Sequence, residues 1–380
     1  FESHLHACAA CQAETRKYEE LIAELRRPLP DAKQSDLAPD ILARAQAGGR
    51  HGTTLLRIAA LFLCFVAAAA IVCLLRPEGG SKYDQRVSAA IEWLCTVQEP
   101  DGHWDAAKWG AQKNYTPGIT ALAVLALFKN EPDALGGPHS GAIRRGLEYL
   151  LSQQNEEGRI GAVHSGTPYN QGIGTLALLE ACGRAKDPRW ESAAARALAY
   201  IRSTQQPSGG WGYPRGPADA GNTSITVWQL QALLKASSMD QADVRPNIEK
   251  GMAWLSAVVD ADGRVGYSRT SDFPYGHETL TAAGALCFLS DKSAAPSPHL
   301  PKVLRALRDA AHRQSDVDYY RLYFMTQALA AAGEANTDVA AKLREALVVC
   351  QADAGSFDAR DRWSSAGGRV YATAMAVLAL

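Results

Sequence analysis

The sequence predicts an all-α protein whose larger part is an (α/α)6 toroid, and three observations predict it. A motif Gln-x3-Gly-x-apolar recurs as Gln98 to Trp104, Gln154 to Ile160, Gln205 to Trp211 and Gln351 to Phe357. A fifth copy, Val259 to Val265, has lost its glutamine. The motif glycines stand at 102, 158, 209, 263 and 355, in steps of 56, 51, 54 and 92, so the last step holds two units and one of these has lost its turn. Each unit pairs an amphipathic helical pattern such as VSAAIEWLCTVQ with a smaller, alanine-rich one such as ITALAVLALF. Six of each kind are what a closed double ring of outer and inner helices requires. An open solenoid uses the same pairs but needs polar capping repeats, and none is visible.

In chain order, residues 1–30 come first. His4, Cys8 and Cys11 fall at i, i+4 and i+7, on one face of a helix, where a single zinc ion can bind all three. Structural zinc takes four nitrogen or sulfur ligands. His6 points off that face, so the fourth is expected upstream of Phe1; a chance pair of core cysteines is the other reading. Residues 31–54 form a linker, with PLPDAKQSDLAPD as a Pro- and Asp-rich spacer and Gly48 to Gly52 as its end. Residues 55–76 follow, centred on Ile58 to Leu75, a run without a charge or strong polar group. At a helical rise of about 1.5 Å per residue this run spans roughly 27 Å, which predicts one transmembrane helix. Arg44, Arg50 and Arg57 before it balance Arg76, Lys82 and Arg86 after it, so charge alone leaves its orientation open. The repeats occupy 83–380, enough chain for one large core.

Composition narrows the partners. The chain has 380 residues and a formal net charge of −1, so no basic excess calls for nucleic acid. Its eight cysteines outline no disulfide framework. It begins at Phe1 and stops at Leu380 within an apolar helical pattern, so further chain is expected on both sides.

Two resemblances carry the functional reading. The His4-x3-Cys8-x2-Cys11 segment resembles the zinc-finger domain of the anti-sigma factor family, often followed by a membrane helix. That resemblance implies a structural zinc ion, a sigma factor as partner and a cytoplasmic amino end. The toroid would then stand outside the inner membrane of a bacterial cell, on a single-pass anchor. From about Tyr83 to Leu380 the repeats resemble those of the squalene cyclase and prenyltransferase superfamily, whose motif is Gln-x3-Gly-x-Trp. The motif implies the fold and leaves the reaction open.

In such a ring the inner helices run parallel, and their amino ends gather at one mouth with dipoles favouring an electron-rich group. Tyr115, Tyr169, Asn222, His277, Tyr319, Tyr320 and Tyr371 stand at those starts as candidate ligand-binding residues. A polar, aromatic mouth over an apolar interior suits an isoprenoid, a lipid or a peptide end. Helix capping is the competing role for Asn222, Thr223 and Asp318. Class II terpene cyclases protonate an alkene with the middle acid of Asp-x-Asp-Asp, and Asp316-Val-Asp318-Tyr319 is the match here, which makes Asp318 and Asp316 the candidate catalytic acids. The last position has become tyrosine and one helical domain stands where such cyclases use two, so binding is the leading expectation and a cyclase-like isomerase the alternative. A purely structural interaction platform is a third reading. The zinc set of protein prenyltransferases has no histidine to match in Gly367 to Thr373, and the thioester motif Gly-Cys-Gly-Glu-Gln is absent.

Overall fold

The computed structural model describes residues 82–380, apart from 131, 132, 134, 215, 217, 218, 220, 241, 242 and 315. The expected zinc domain, linker and transmembrane helix, with His4, Cys8 and Cys11, lie outside the described residues. Twelve α-helices occur among those described. They are α1 (Lys82–Thr96), α2 (Thr116–Asn130), α3 (Ser140–Ser152), α4 (Thr167–Arg184), α5 (Pro188–Ser203), α6 (Thr223–Ser238), α7 (Arg245–Ala257), α8 (Glu278–Ser290), α9 (Leu300–His312), α10 (Tyr319–Ala331), α11 (Asp338–Val348) and α12 (Ser364–Ala379). The described residues hold isolated bridges but no strand.

Odd-numbered helices bury one stripe. In α9 it is Val303, Ala306, Leu307, Ala310 and Ala311, the i, i+3, i+4, i+7, i+8 spacing of an outer helix with one wet face. Even-numbered helices are buried almost all round; in α2 every residue from Thr116 to Phe128 except Leu125 is buried, because a second layer covers it. Small residues make this possible, since alanine and glycine let neighbouring inner helices approach closely. Around the inner ring α2 packs on α4, α4 on α6, α6 on α8, α8 on α10 and α10 on α12. The last helix, α12, packs on both α2 and α1. The ring is therefore closed, and the open solenoid is excluded for this segment.

The motif explains how the units are joined. The Gln98 side chain donates from Nε2 to Gly102 O at 2.8 Å and to Ala142 O, in the first turn of α3, at 2.9 Å. Gln205 repeats this with Gly209 O and Asn247 O, and Gln351 with Gly355 O and Arg86 O. Each glutamine thus ties its own turn to the next outer helix. The Trp104 indole donates to Leu94 O and the Trp211 indole to Ile201 O, both at 2.8 Å, which seals the turn against its own outer helix. Gly158 has φ +89°, and a Cβ there would lie 2.1 Å from Arg196 O, so conformation and space both demand glycine.

The aromatics ahead of the glutamines divide. Tyr149 stacks on His103 of the preceding unit, with ring centroids 5.1 Å apart, and Trp254 lies against Gly210 of the preceding unit. Trp93 instead meets Trp109 of its own loop edge-on at 5.0 Å. In the fifth unit no motif loop exists: α9 and α10 are joined by residues 313–318 alone. Asp318 stands at the end of this short link, directly before α10, and is buried.

Candidate functional site

Because the inner helices are parallel, their first turns surround one cavity of about 400 Å3. Its deeper wall is apolar, with Ile119, Leu122, Ile173, Trp228, Leu280 and Met375 drawn from α2, α4, α6, α8 and α12. Its rim is aromatic and hydroxylated. Tyr115, Tyr169, Tyr320 and Tyr371, all anticipated from the sequence, line it together with Asp318.

Asp318 is the N-cap of α10, its side chain accepting from the Arg321 amide at 2.9 Å. The capping role that competes with catalysis is therefore real, and it uses one carboxylate oxygen. The other, Oδ2, stands 3.7 Å from Arg362 Nε, beyond hydrogen-bond length. Burial pushes the Asp318 carboxyl above the usual carboxylate range, with the nearby Asp361 adding to the shift. Asp361 itself is fully engaged: it accepts from the Tyr319 amide and the Tyr371 hydroxyl through Oδ2, and from the Trp363 amide and Ser364 hydroxyl through Oδ1. Among the described residues Asp318 is the one carboxylate that lines the cavity.

The other anticipated residues stand elsewhere. Asp316 does not line the cavity; it is exposed and ion-paired with Arg321 at 2.6 Å. Asn222 is buried and caps α6, accepting from the Ile225 amide at 3.0 Å. His277 bonds Thr281 at 3.2 Å and packs edge-on against Phe273. Tyr319 points into the protein, donating to Asp358 O at 2.7 Å and packing on Phe357. Tyr319 and Tyr320 are adjacent on a helix, so only one of them can face the axis, and it is Tyr320.

Residues that sequence reasoning missed complete the rim: Tyr213, Tyr267, Tyr275, Arg362 and Trp363. Tyr213 and Tyr267 share a register, each two residues past the last position of its motif, Trp211 and Val265. That shared position is a readable signal. Tyr275, 63% exposed, belongs to a loop from the fourth unit that reaches the sixth. Its ring meets Trp363 edge-on at 5.6 Å, and the Arg362 guanidinium lies 5.4 Å from its centroid. Nothing in local sequence announces that meeting.

Hydroxyl groups form a connected set on the α4 and α6 side. Tyr169 and Ser224 hydroxyls are 2.8 Å apart, Ser224 donates to Asn222 Oδ1 at 2.9 Å, and the Tyr213 hydroxyl is 3.4 Å from that of Tyr169. The Trp228 indole donates to the Tyr320 hydroxyl at 2.8 Å. Burial pushes the phenols of Tyr169, Tyr267, Tyr320 and Tyr371 upward, so they remain protonated donors at neutral pH.

The prenyltransferase alpha-alpha toroid domain family matches residues 50–266 and 172–380. The chain belongs to that family. It is 34% identical over 97 residues to a squalene–hopene cyclase of Bradyrhizobium diazoefficiens, a match covering 23% of this chain and 14% of that protein. A probable squalene–hopene cyclase of Sinorhizobium fredii is 30% identical over 96 residues, with the same shares. The match thus spans 14% of the length of these curated relatives. Among solved structures, the GH76A alpha-1,6-mannanase of Salegentibacter matches at a TM-score of 0.57 and 12% identity, covering 78% of this chain and 98% of its own. The type II terpene cyclase MstE of Scytonema matches at 0.52 and 16%, covering 78% and 97%. At such identities the likeness is one of fold.

Among the described residues no group of three or more His, Cys, Asp or Glu could hold a metal ion, and no helix is long and apolar enough to cross a membrane.

Proposed function

We propose that the toroid is a receptor for an isoprenoid or similar apolar molecule, held in the cavity at the amino ends of the inner helices. The observation that carries this is the cavity's make-up: an aliphatic and aromatic wall, a hydroxylated rim and a volume of about 400 Å3. Ligand cavities typically run from about 300 to 1,000 Å3 and are mostly apolar with a few placed polar groups. The glycosidase chemistry of the mannanase suits this cavity poorly. Hydrolysis of a glycosidic bond uses two carboxyl groups flanking it, and among the described residues Asp318 is the one carboxyl group at the wall.

A second reading, cyclase-like isomerisation, is favoured by Asp318 itself. Burial shifts its pKa upward and so favours the protonated form, and an alkene carbon seated against a protonated Asp318 would take that proton as the O–H bond breaks and a C–H bond forms. Trp228 and Tyr320 line the same cavity as aromatic groups for the carbocation left behind, and the carboxylate left on Asp318 would face Arg362. Incubation with geranylgeraniol or squalene decides it: product that still forms in Asp318→Asn removes Asp318 as the acid.

On the amino-terminal side the proposal is a regulator. His4, Cys8 and Cys11 would hold structural zinc in a sigma-factor-binding domain inside the cell, and residues 55–76 would anchor the toroid on the outer face of the inner membrane. Purification of the full-length protein from its own cells, with mass spectrometry of what stays bound, tests both halves. A sigma factor lost on substitution of His4, Cys8 and Cys11 by Ala, together with an apolar small molecule, is the expected result. Recovery without a sigma factor removes the regulatory half.

A further inference from the structure

On one side the cavity ends against packed aromatic rings. Trp228 lines it from α6, and beside that indole lie Tyr323 and Phe324 of α10, with ring centroids 5.8 and 5.4 Å from its own and 4.9 Å from each other. Neither of these two rings lines the cavity, so the open space stops at Trp228. The indole can reach α10 because α8, which packs on both α6 and α10, is small where they meet, with Ala282, Ala283, Gly284 and Ala285 in succession. Trp228 is also fixed: it is 1% exposed and donates to the Tyr320 hydroxyl at 2.8 Å. A ring held in a close-packed cluster does not swing aside for a ligand. Leu122 and Ile173, each in the second turn of its helix, mark a similar depth on α2 and α4.

A closed floor turns volume into length. An engineered apolar cavity of about 150 Å3 takes up benzene, roughly 25 Å3 for each carbon atom. At that density the cavity of about 400 Å3 has room for about 16 non-hydrogen atoms, the size of a fifteen-carbon alcohol. A twenty-carbon alcohol exceeds it by one isoprene unit, and a thirty-carbon chain would need about 750 Å3. We propose that the cavity selects ligands by length, taking a fifteen-carbon isoprenoid chain, and that Trp228 is the residue that sets this ceiling. This rests on the reading of the cavity as an isoprenoid site and narrows its ligand to a chain far shorter than squalene. The carbons of a longer chain stay at the mouth, in water, and add nothing to its affinity.

The test is equilibrium dialysis of the full-length protein against labelled geraniol, farnesol and geranylgeraniol, which carry ten, fifteen and twenty carbons on the same head. Each buried CH2 is worth about a factor of four in affinity, so farnesol should bind at least roughly tenfold tighter than geraniol. Geranylgeraniol should gain less than about threefold over farnesol, because its extra unit stays in water. Trp228→Leu frees space for about six carbon atoms and is expected to restore the gain, to roughly tenfold or more between farnesol and geranylgeraniol. Leu122→Trp works in the other direction. It fills space for about six carbon atoms and should bring farnesol to within about threefold of geraniol, which keeps the ceiling testable where loss of Trp228 unfolds the ring. Affinity that climbs equally through all three alcohols in the parent, or steps that neither variant moves, overturns the ceiling and leaves the isoprenoid reading standing. No binding of any of the three overturns that reading, and the ceiling with it.

Discussion

At the scale of single residues, Asp318 joins two roles that are hard to separate by inspection: it caps α10 and it faces the cavity. pH separates them. An acid whose folded pKa is raised binds its proton more tightly in the native state than in the unfolded one. Its favourable contribution is complete at acid pH and is lost as pH rises from the ordinary carboxylate range through the raised value. Asparagine caps a helix about as well as aspartate. Asp318→Asn is therefore expected to match the parent in thermal stability near pH 4 and to exceed it at pH 7, by up to about 1 kcal/mol on the scale of one capping interaction. A variant less stable than the parent at pH 7 would show that the ionised carboxylate is what the fold requires. Asp316 is exposed but pairs with the buried Arg321, so Asp316→Asn should cost stability, by about 1–3 kcal/mol in chemical denaturation, while leaving ligand affinity alone. Asp318 and the tyrosines at helix starts were legible because a helix start is a local property. Which of Tyr319 and Tyr320 faces the axis was not, because the last half-turn of orientation is set by packing on Phe357 and Trp228.

At the scale of elements, the motif is a joint between units, and its parts carry separable costs. Gln205→Ala removes the bonds to Gly209 O and Asn247 O and orphans Asn247 Nδ2, so chemical denaturation should register a loss of about 1–3 kcal/mol. Two glycines of similar backbone conformation make a sharper comparison. Gly158 at φ +89° has Arg196 O where a Cβ would sit, whereas Gly333 at φ +81° has open space. Gly333→Ala is expected to cost only the left-handed backbone term of about 1–2 kcal/mol. Gly158→Ala adds displacement of the neighbouring helix and should cost distinctly more; equal losses would mean that the close approach between units is dispensable. The repeat made these turns readable, since the same glycine recurs at a fixed place. The fifth unit was readable only as a gap. Its shortened link, residues 313–318, ends on the buried Asp318, and the loop with Tyr275 comes from the fourth unit to meet Arg362.

At the scale of the whole molecule, closure decides function, since a cavity ringed by six helix starts exists only if α12 returns to α1 and α2. Gln351 spans that seam with bonds to Gly355 O and Arg86 O, both at 2.7 Å. In Gln351→Ala, hydrogen exchange should accelerate together in α1 and α12, which lie at opposite ends of the sequence; acceleration confined to the 351–357 turn would show that the seam holds without it. Six outer and six inner patterns made the ring legible beforehand. The cavity's rim was only half legible, because Tyr213, Tyr267, Tyr275, Arg362 and Trp363 reach it from loops whose courses depend on the ring having closed. The central claim, that this cavity is a ligand site, is tested most directly by titrating the full-length protein with geranylgeraniol against a variant plugged at the mouth. Ser365 lines the cavity and is exposed, so Ser365→Trp fills space without disturbing the core. Saturable binding to the parent that weakens at least tenfold in Ser365→Trp is the predicted result, and binding that is absent from the parent or unchanged by the plug would contradict it.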